Sequence, residues 1–397
     1  MLLRKSMLKI LTIIFNLLFF QFSNFADNHL ICLHVGEGNK LEFSVNGSHE
    51  MQLDHYLWQK TKESDYCAYI AGKGKIAIWE KDTDTRYFLK ERRLILNMKN
   101  GFWELQGKSF PGKMEIVLLS SGKLSCNVYL PMKDYLKGVL NGEMGAWKKD
   151  ALEALKAQAV ASRSYYYFRK LENEIQMNPT ISFQHYLYSN NYHEDINKAI
   201  DETENFILAY KGKPALTVYS ADCGGYSASS REVWGNEDLS YLQSRWDGVD
   251  FKNEFCSEGK RHIWKANFSN LELRNLLRKQ MAVEADEWIS DIRILERGTS
   301  GRVIQLLIKT NKRNFILTHE KIRTFFKTDS LPQGLNSRLF DIEFLEEGIV
   351  INGMGFGHGA GMCQCGALKM AKLGYNYQQI LNFYFPGTKL MVLKKGG

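Results

Sequence analysis

Three stretches of this 397-residue chain concentrate residue types that do chemistry. The first is Tyr135-Leu136-Lys137-Gly138-Val139-Leu140-Asn141-Gly142-Glu143-Met144, which leads into an alanine-rich stretch carrying Gln158 and Arg163. An acid set among apolar residues beside a helix start is a candidate general acid, since partial burial favours the protonated form of a carboxyl. The plainer alternative is a solvated Glu on a connector. The second stretch is Tyr219-Ser220-Ala221-Asp222-Cys223-Gly224-Gly225-Tyr226, followed by Val233-Trp234-Gly235. Its glycine pair marks either a close backbone approach to a ligand or a plain turn with Trp234 in the core. The third runs from Gly353 through Gly355-Phe356-Gly357-His358-Gly359-Ala360-Gly361 to Cys363-Gln364-Cys365-Gly366. Glycine-rich turns at a helix start can cradle anions. The Gly-Lys-Ser/Thr of a P-loop is absent, as is a Rossmann fingerprint. The stretch therefore reads as a functional loop of close backbone approach around His358.

The surrounding pattern says what positions these residues. From about His29 to Phe110 the chain looks β-rich, with alternating runs such as Lys75–Trp79 and Leu94–Met98 between turn residues. Strands are expected at Met114–Leu119 and Leu124–Leu130 on either side of Ser121-Gly122. The spacing then predicts a long helix over Asp150–Leu171, with Asp150 as cap and Glu153 completing a capping box. A hairpin is expected over Phe206–Val218, turning at Lys211-Gly212-Lys213. Further helices are expected at Ser269–Met281, Gly366–Leu373 and Asn376–Tyr384, and strands at Ile289–Glu296 and Val303–Lys309. No internal repeat is visible.

Composition narrows the class. Hydrophobic residues make up 44% and only six prolines occur, which suits a globular fold of two domains. Arg4, Lys5 and Lys9 precede the apolar run Ile10–Phe20, and small or polar residues follow to Ala26. This predicts a secretory signal peptide over residues 1–26. A retained anchor is the rival, although the run is shorter than the ~20 apolar residues of a full span. Setting aside its three basic residues takes the formal charge from +8 to +5. A mildly basic protein suits an anionic wall polymer, and no motif points to nucleic acid. The seven cysteines, Cys32, Cys67, Cys126, Cys223, Cys256, Cys363 and Cys365, cannot all pair within one chain. Cys32 and Cys67 would suit a local disulfide.

Taken together, the blocks resemble the SpoIID/LytB family of stage II sporulation protein D and related amidase enhancers. The resemblance runs through Tyr135–Val139 with Glu143-Met144, then Ala154–Ala161 with Arg163, then Cys223–Tyr226 with Val233-Trp234-Gly235. It ends with Gly355–Gly359, Gly366-Ala367, Ile380-Leu381 and Tyr384–Thr388. It spans roughly residues 115 to 392 and implies an α+β catalytic domain (113–392) with a glycan-binding groove, preceded by a small β-rich domain (27–112).

That resemblance implies an exported lytic transglycosylase of the periplasm or cell envelope, acting on peptidoglycan strands stripped of peptides. Its catalytic Glu maps to Glu143. One acid suffices for that route, whereas ordinary glycosidases use two. Arg163 would bind the lactyl carboxylate of muramic acid or form a structural ion pair. Gln158, His358, Gln364 and Tyr384 are expected to line the groove. No cofactor is required for catalysis. Some family members are thought to hold a structural zinc; Cys223, Cys256 and Cys363 would suit one. A Cys223–Cys256 disulfide or free buried thiols remain the alternatives, since His-rich ligation around Cys223 is absent. Cys363-x-Cys365 departs from the commoner form of its block, which puts a ring contact at position 365 in doubt. A non-catalytic scaffold that stimulates a cell-wall amidase is the second functional reading, and a zinc hydrolase built on His358 is the third.

Overall fold

The computed structural model describes residues 30–393 except 73, 146–149, 173–175, 178–183, 236–237, 251–252 and 282. The expected signal segment therefore lies outside the described residues. Among those described, no helix is long and apolar enough to cross a membrane. The chain divides into two compact units. One takes the described residues of Met1–Trp147, Gln158–Ile207 and Leu390–Gly397; the other takes those of Lys148–Ala157 and Leu208–Lys389.

The first unit opens on two sheets, antiparallel except where Gln176–Met177 pairs parallel with Ile31–Gly38 at the edge of the larger one. Strands Ile31–Gly38, Leu124–Leu130, Lys113–Leu118, Arg93–Met98, His49–Leu53 and Tyr56–Lys60 follow one another across the larger sheet. The smaller sheet runs Lys108–Phe110, Phe102–Leu105, Lys40–Asn46, Ser64–Ala71, Lys75–Glu80 and Thr85–Phe88. Alternation does the sorting: in Lys40–Asn46 it is Leu41, Phe43 and Val45 that are buried. His49 on one sheet donates to or accepts from Tyr66 Oη on the other at 3.0 Å, and its ring meets that of Trp103 edge-on. Strands Lys113–Leu118 and Leu124–Leu130 belong to this same sheet, so the boundary expected at residue 112 cuts through a continuous ladder. Cys32 and Cys67 sit on different sheets and are both unlinked, which corrects the expected local disulfide.

Among the described residues, three helices complete this unit. Met132–Met144 was not foreseen; its glycines hid it, and Pro131 starts it. Glu194–Glu202 was not foreseen either. The long helix begins at Leu152, not Asp150, and only its part from Gln158 onward belongs here. Asp150 adopts a left-handed φ of 73°, incompatible with the extended backbone of an N-cap. Glu153 bonds Lys156 Nζ and the Tyr377 amide instead of closing a capping box.

The second unit has its own core, built from Phe268, Leu277, Ile292, Leu306, Ile308, Ile322, Phe326 and Ile351. Around it lie the sheet of Ile263–Ser269, Gly348–Met354 and Leu339–Leu345 and the meander Ile289–Arg297, Val303–Thr310, Asn314–Thr318. Helix Asn270–Gln280 starts at a Ser269/Glu272 capping box, and Tyr377–Tyr384 at one formed by Asn376 and Gln379. A parallel pairing of Tyr219–Ser220 with Met362–Cys363 joins the second and third chemical stretches at the backbone.

Candidate functional site

Glu143 lies in the last turn of the Met132–Met144 helix and is half-buried. Two glycines one turn apart cut a notch in that helix. A Cβ on Gly138 would come within 2.2 Å of the Tyr186 ring, and one on Gly142 within 2.2 Å of the His185 carbonyl oxygen. The segment Gln184–Tyr188 fills the notch. Leu187 donates its N–H to Gly138 O at 2.9 Å, Asn141 Nδ2 donates to Leu187 O at 2.9 Å, and Tyr135 Oη donates to Gln184 Oε1 at 2.6 Å. Tyr186 stacks between Phe110 and Tyr135, with ring centroids 5.6 and 6.4 Å away. The His185 amide thereby points at the acid and donates to Glu143 Oε1 at 2.6 Å. The notch turns two glycines and an aromatic segment into a clamp on one carboxylate.

Gln158 and Arg163 belong to the same unit, on the long helix. Gln158 is fully buried, and its Nε2 donates to Ser162 Oγ. Arg163 is buried too, and its Nη1 donates to the carbonyls of Thr203 and Phe206 at 2.9 Å each. The guanidinium thus ties the helix to the segment after Glu194–Glu202. This favours a structural role over a carboxylate contact, with backbone carbonyls in place of the expected ion-pair partner.

His358, Gln364 and Tyr384 belong to the other unit. His358 Nδ1 accepts the Ala360 amide at 3.0 Å, and the ring also bonds the Tyr219 backbone. Burial, reinforced by Arg323, Arg302 and Arg338, pushes its imidazole down to about 3, so the ring is neutral. Trp234 lies 5.6 Å from it, ring to ring, and is 42% exposed rather than part of the core. The glycines around His358 approach protein: a Cβ on Gly359 would meet the Arg302 guanidinium at 2.1 Å, and one on Gly361 would meet Val218 O at 2.0 Å. Their positive φ values of 79° and 72° suit glycine for the same reason. Gln364 is buried at the start of helix Gln364–Lys372. Tyr384 is buried and donates its hydroxyl to Asp247 Oδ1 at 2.7 Å, so no groove-lining contact is open to it.

Cys223, Cys256 and Cys363, widely separated in sequence, converge in this second unit, and the Asp247 carboxylate joins them. All seven cysteines are unlinked, with Cys223 Sγ and Cys256 Sγ 3.6 Å apart. Burial pushes the Asp247 carboxyl up to about 8. Beside the cluster, His262 sits between Asp222 and Glu254, at 3.2 and 2.9 Å. Its hydrogen bond to Asp222 raises the imidazole to about 10. Sequence reasoning missed Asp247, His262 and the clamp residue His185. Asp247 follows Trp246 in a segment without a motif, and His185 acts through its backbone, which no side-chain pattern reveals.

A model described as "Stage II sporulation protein" matches residues 120–210, and a domain of unknown function (DUF8618) matches 251–361. The first match covers the notched helix and its clamp. An uncharacterized protein of Brachyspira hyodysenteriae is 33% identical over 303 residues, covering 75% of this chain and 76% of that one. The amidase enhancer of Bacillus subtilis is 29% identical, over 64% of this chain and 40% of its own length. Stage II sporulation protein D of the same organism is 27% identical, over 66% and 74%. The chain belongs to the SpoIID family, alongside proteins named stage II sporulation protein D and amidase enhancer.

Proposed function

We propose that this protein is an exported peptidoglycan lytic transglycosylase of the cell envelope, with Glu143 as its single acid/base. The observation that supports this best is the clamp: a half-buried carboxylate fixed at 2.6 Å by the His185 amide within the family-matched segment. Such preorganisation suits a group that must give and then retrieve one proton. The protonated carboxyl donates to the glycosidic oxygen as the bond from muramic acid C1 breaks. The resulting carboxylate takes the proton from the C6 hydroxyl, whose oxygen closes on C1 as a 1,6-anhydro ring. One bond forms, one breaks, and the proton returns to Glu143 with no water consumed. Exposed Trp234 beside neutral His358 offers an apolar face of the kind sugar rings stack on.

Digestion of peptide-free glycan strands followed by mass spectrometry tests the reading. Transglycosylation leaves 1,6-anhydro ends, one water lighter than the reducing ends of hydrolysis. The similarity to an amidase enhancer supports a second reading, a glycan-binding scaffold that stimulates a wall amidase. It predicts strand binding without any cleaved product.

A further inference from the structure

We propose that Cys223, Cys256, Cys363 and Asp247 form a closed tetrahedral site for one divalent metal ion, Zn(II) by donor chemistry, that holds the second unit together. This inference does not depend on the glycan reading. One ligand atom from each residue lies within 4.8 Å of all the others, and all four residues are fully buried. Tetrahedral zinc with Zn–S bonds of ~2.3 Å sets its sulfurs about 3.8 Å apart. Cys223 Sγ and Cys256 Sγ lie 3.6 Å apart, close to that spacing.

The surroundings are built for thiolates. The Gly225 amide points at Cys256 Sγ at 3.1 Å, and Cys363 Sγ faces the amides of Cys223 at 3.3 Å and Gly366 at 3.4 Å. Backbone donors aimed at sulfur stabilise negative charge on it and orient the ligand. Asp247 Oδ1 is held by Tyr384 Oη, while Oδ2 is buried with no hydrogen-bond partner. A buried orphan oxygen is costly unless something binds it. A disulfide between Cys223 and Cys256 would leave that oxygen unsatisfied, whereas one cation accounts for all four groups.

The ligands come from four separate places: the turn after Tyr219–Ser220, the segment following strand Arg245–Trp246, the short helix Phe255–Glu258, and the residue that caps helix Gln364–Lys372. Backbone bonds close the same ring, from the Asp247 amide to Gly225 O and from the Phe255 amide to Asp247 O. Four protein donors leave no open position, so the ion is structural. Buried Arg302 donates to the Cys223 carbonyl at 2.7 Å and offsets part of the site's negative charge.

The test is metal analysis of the full chain, purified without chelator from zinc-supplemented culture, with parallel thiol counting. About one zinc per chain is expected. Cobalt substituted for it should give tetrahedral cobalt–thiolate absorption. Asp247→Asn should weaken retention against a competing chelator and alter the cobalt bands, and Cys363→Ser should lose the metal. Cys126→Ser, in the other unit, should retain it. A metal-free wild-type chain, with either a Cys223–Cys256 disulfide or three free thiols, would overturn the site. An Asp247→Asn protein with unchanged retention and spectrum would remove Asp247 from it.

Discussion

The Glu143 carboxylate accepts the backbone amide of His185 at 2.6 Å, and that amide is where it is because Gly138 and Gly142 leave room for the segment carrying it. Gly142→Ala should therefore push His185 away from the acid. Overpacking of this kind costs about 1–3 kcal/mol. Melting temperature and turnover should both fall, with turnover falling further than the lost folded fraction explains. A Gly142→Ala protein with unchanged turnover would show that the clamp does not matter.

Arg163 separates structure from binding. Removing its guanidinium leaves the carbonyls of Thr203 and Phe206 without their buried donor, a loss of about 1–3 kcal/mol per unsatisfied group. Arg163→Ala should lower the denaturation midpoint clearly, while KM for glycan in the surviving folded protein changes little. A raised KM with unaltered stability would restore the carboxylate contact.

Two histidines make stability depend on pH with the same sign. Burial holds His49 below its ordinary 6.5, and burial with three arginines pushes His358 to about 3. Both folded values lie below the unfolded one, so between them the unfolded chain binds more protons. This contribution is fully present above about pH 6.5. It is lost as the pH falls toward the folded values. His49→Gln should flatten the melting-temperature profile below that point, as scanning calorimetry at a series of pH values would show.

Much of the fold could be read in the residues, and the reasons are local. The Leu124–Leu130 strand, the Ser269/Glu272 cap and the turn at Lys211-Gly212-Lys213 are fixed by neighbours within a few positions. Helix Met132–Met144 was hidden because Gly138 and Gly142 lower helix propensity, and their purpose is to admit a segment more than 40 residues away. Asp247 was hidden for the same kind of reason. Nothing beside it in sequence marks it, and only the pairing of distant strands brings it to the sulfurs. The glycine spacing around His358 reads as a functional loop of close backbone approach, but what approaches Gly359 and Gly361 is Arg302 and Val218.

Glu143→Gln tests the central claim most directly. The amide keeps the size of the side chain and an oxygen to accept the His185 N–H, but it cannot donate and retrieve the catalytic proton. General acid/base catalysis is worth about 10²–10⁴-fold, and in the proposed mechanism one residue serves both transfers. Release of 1,6-anhydro products from peptide-free strands should therefore fall by at least that range, while the folded mutant binds the strands with near-wild-type affinity. Retention of more than about a tenth of the wild-type rate, less than ~1.4 kcal/mol of barrier lost, would mean that Glu143 is not the acid.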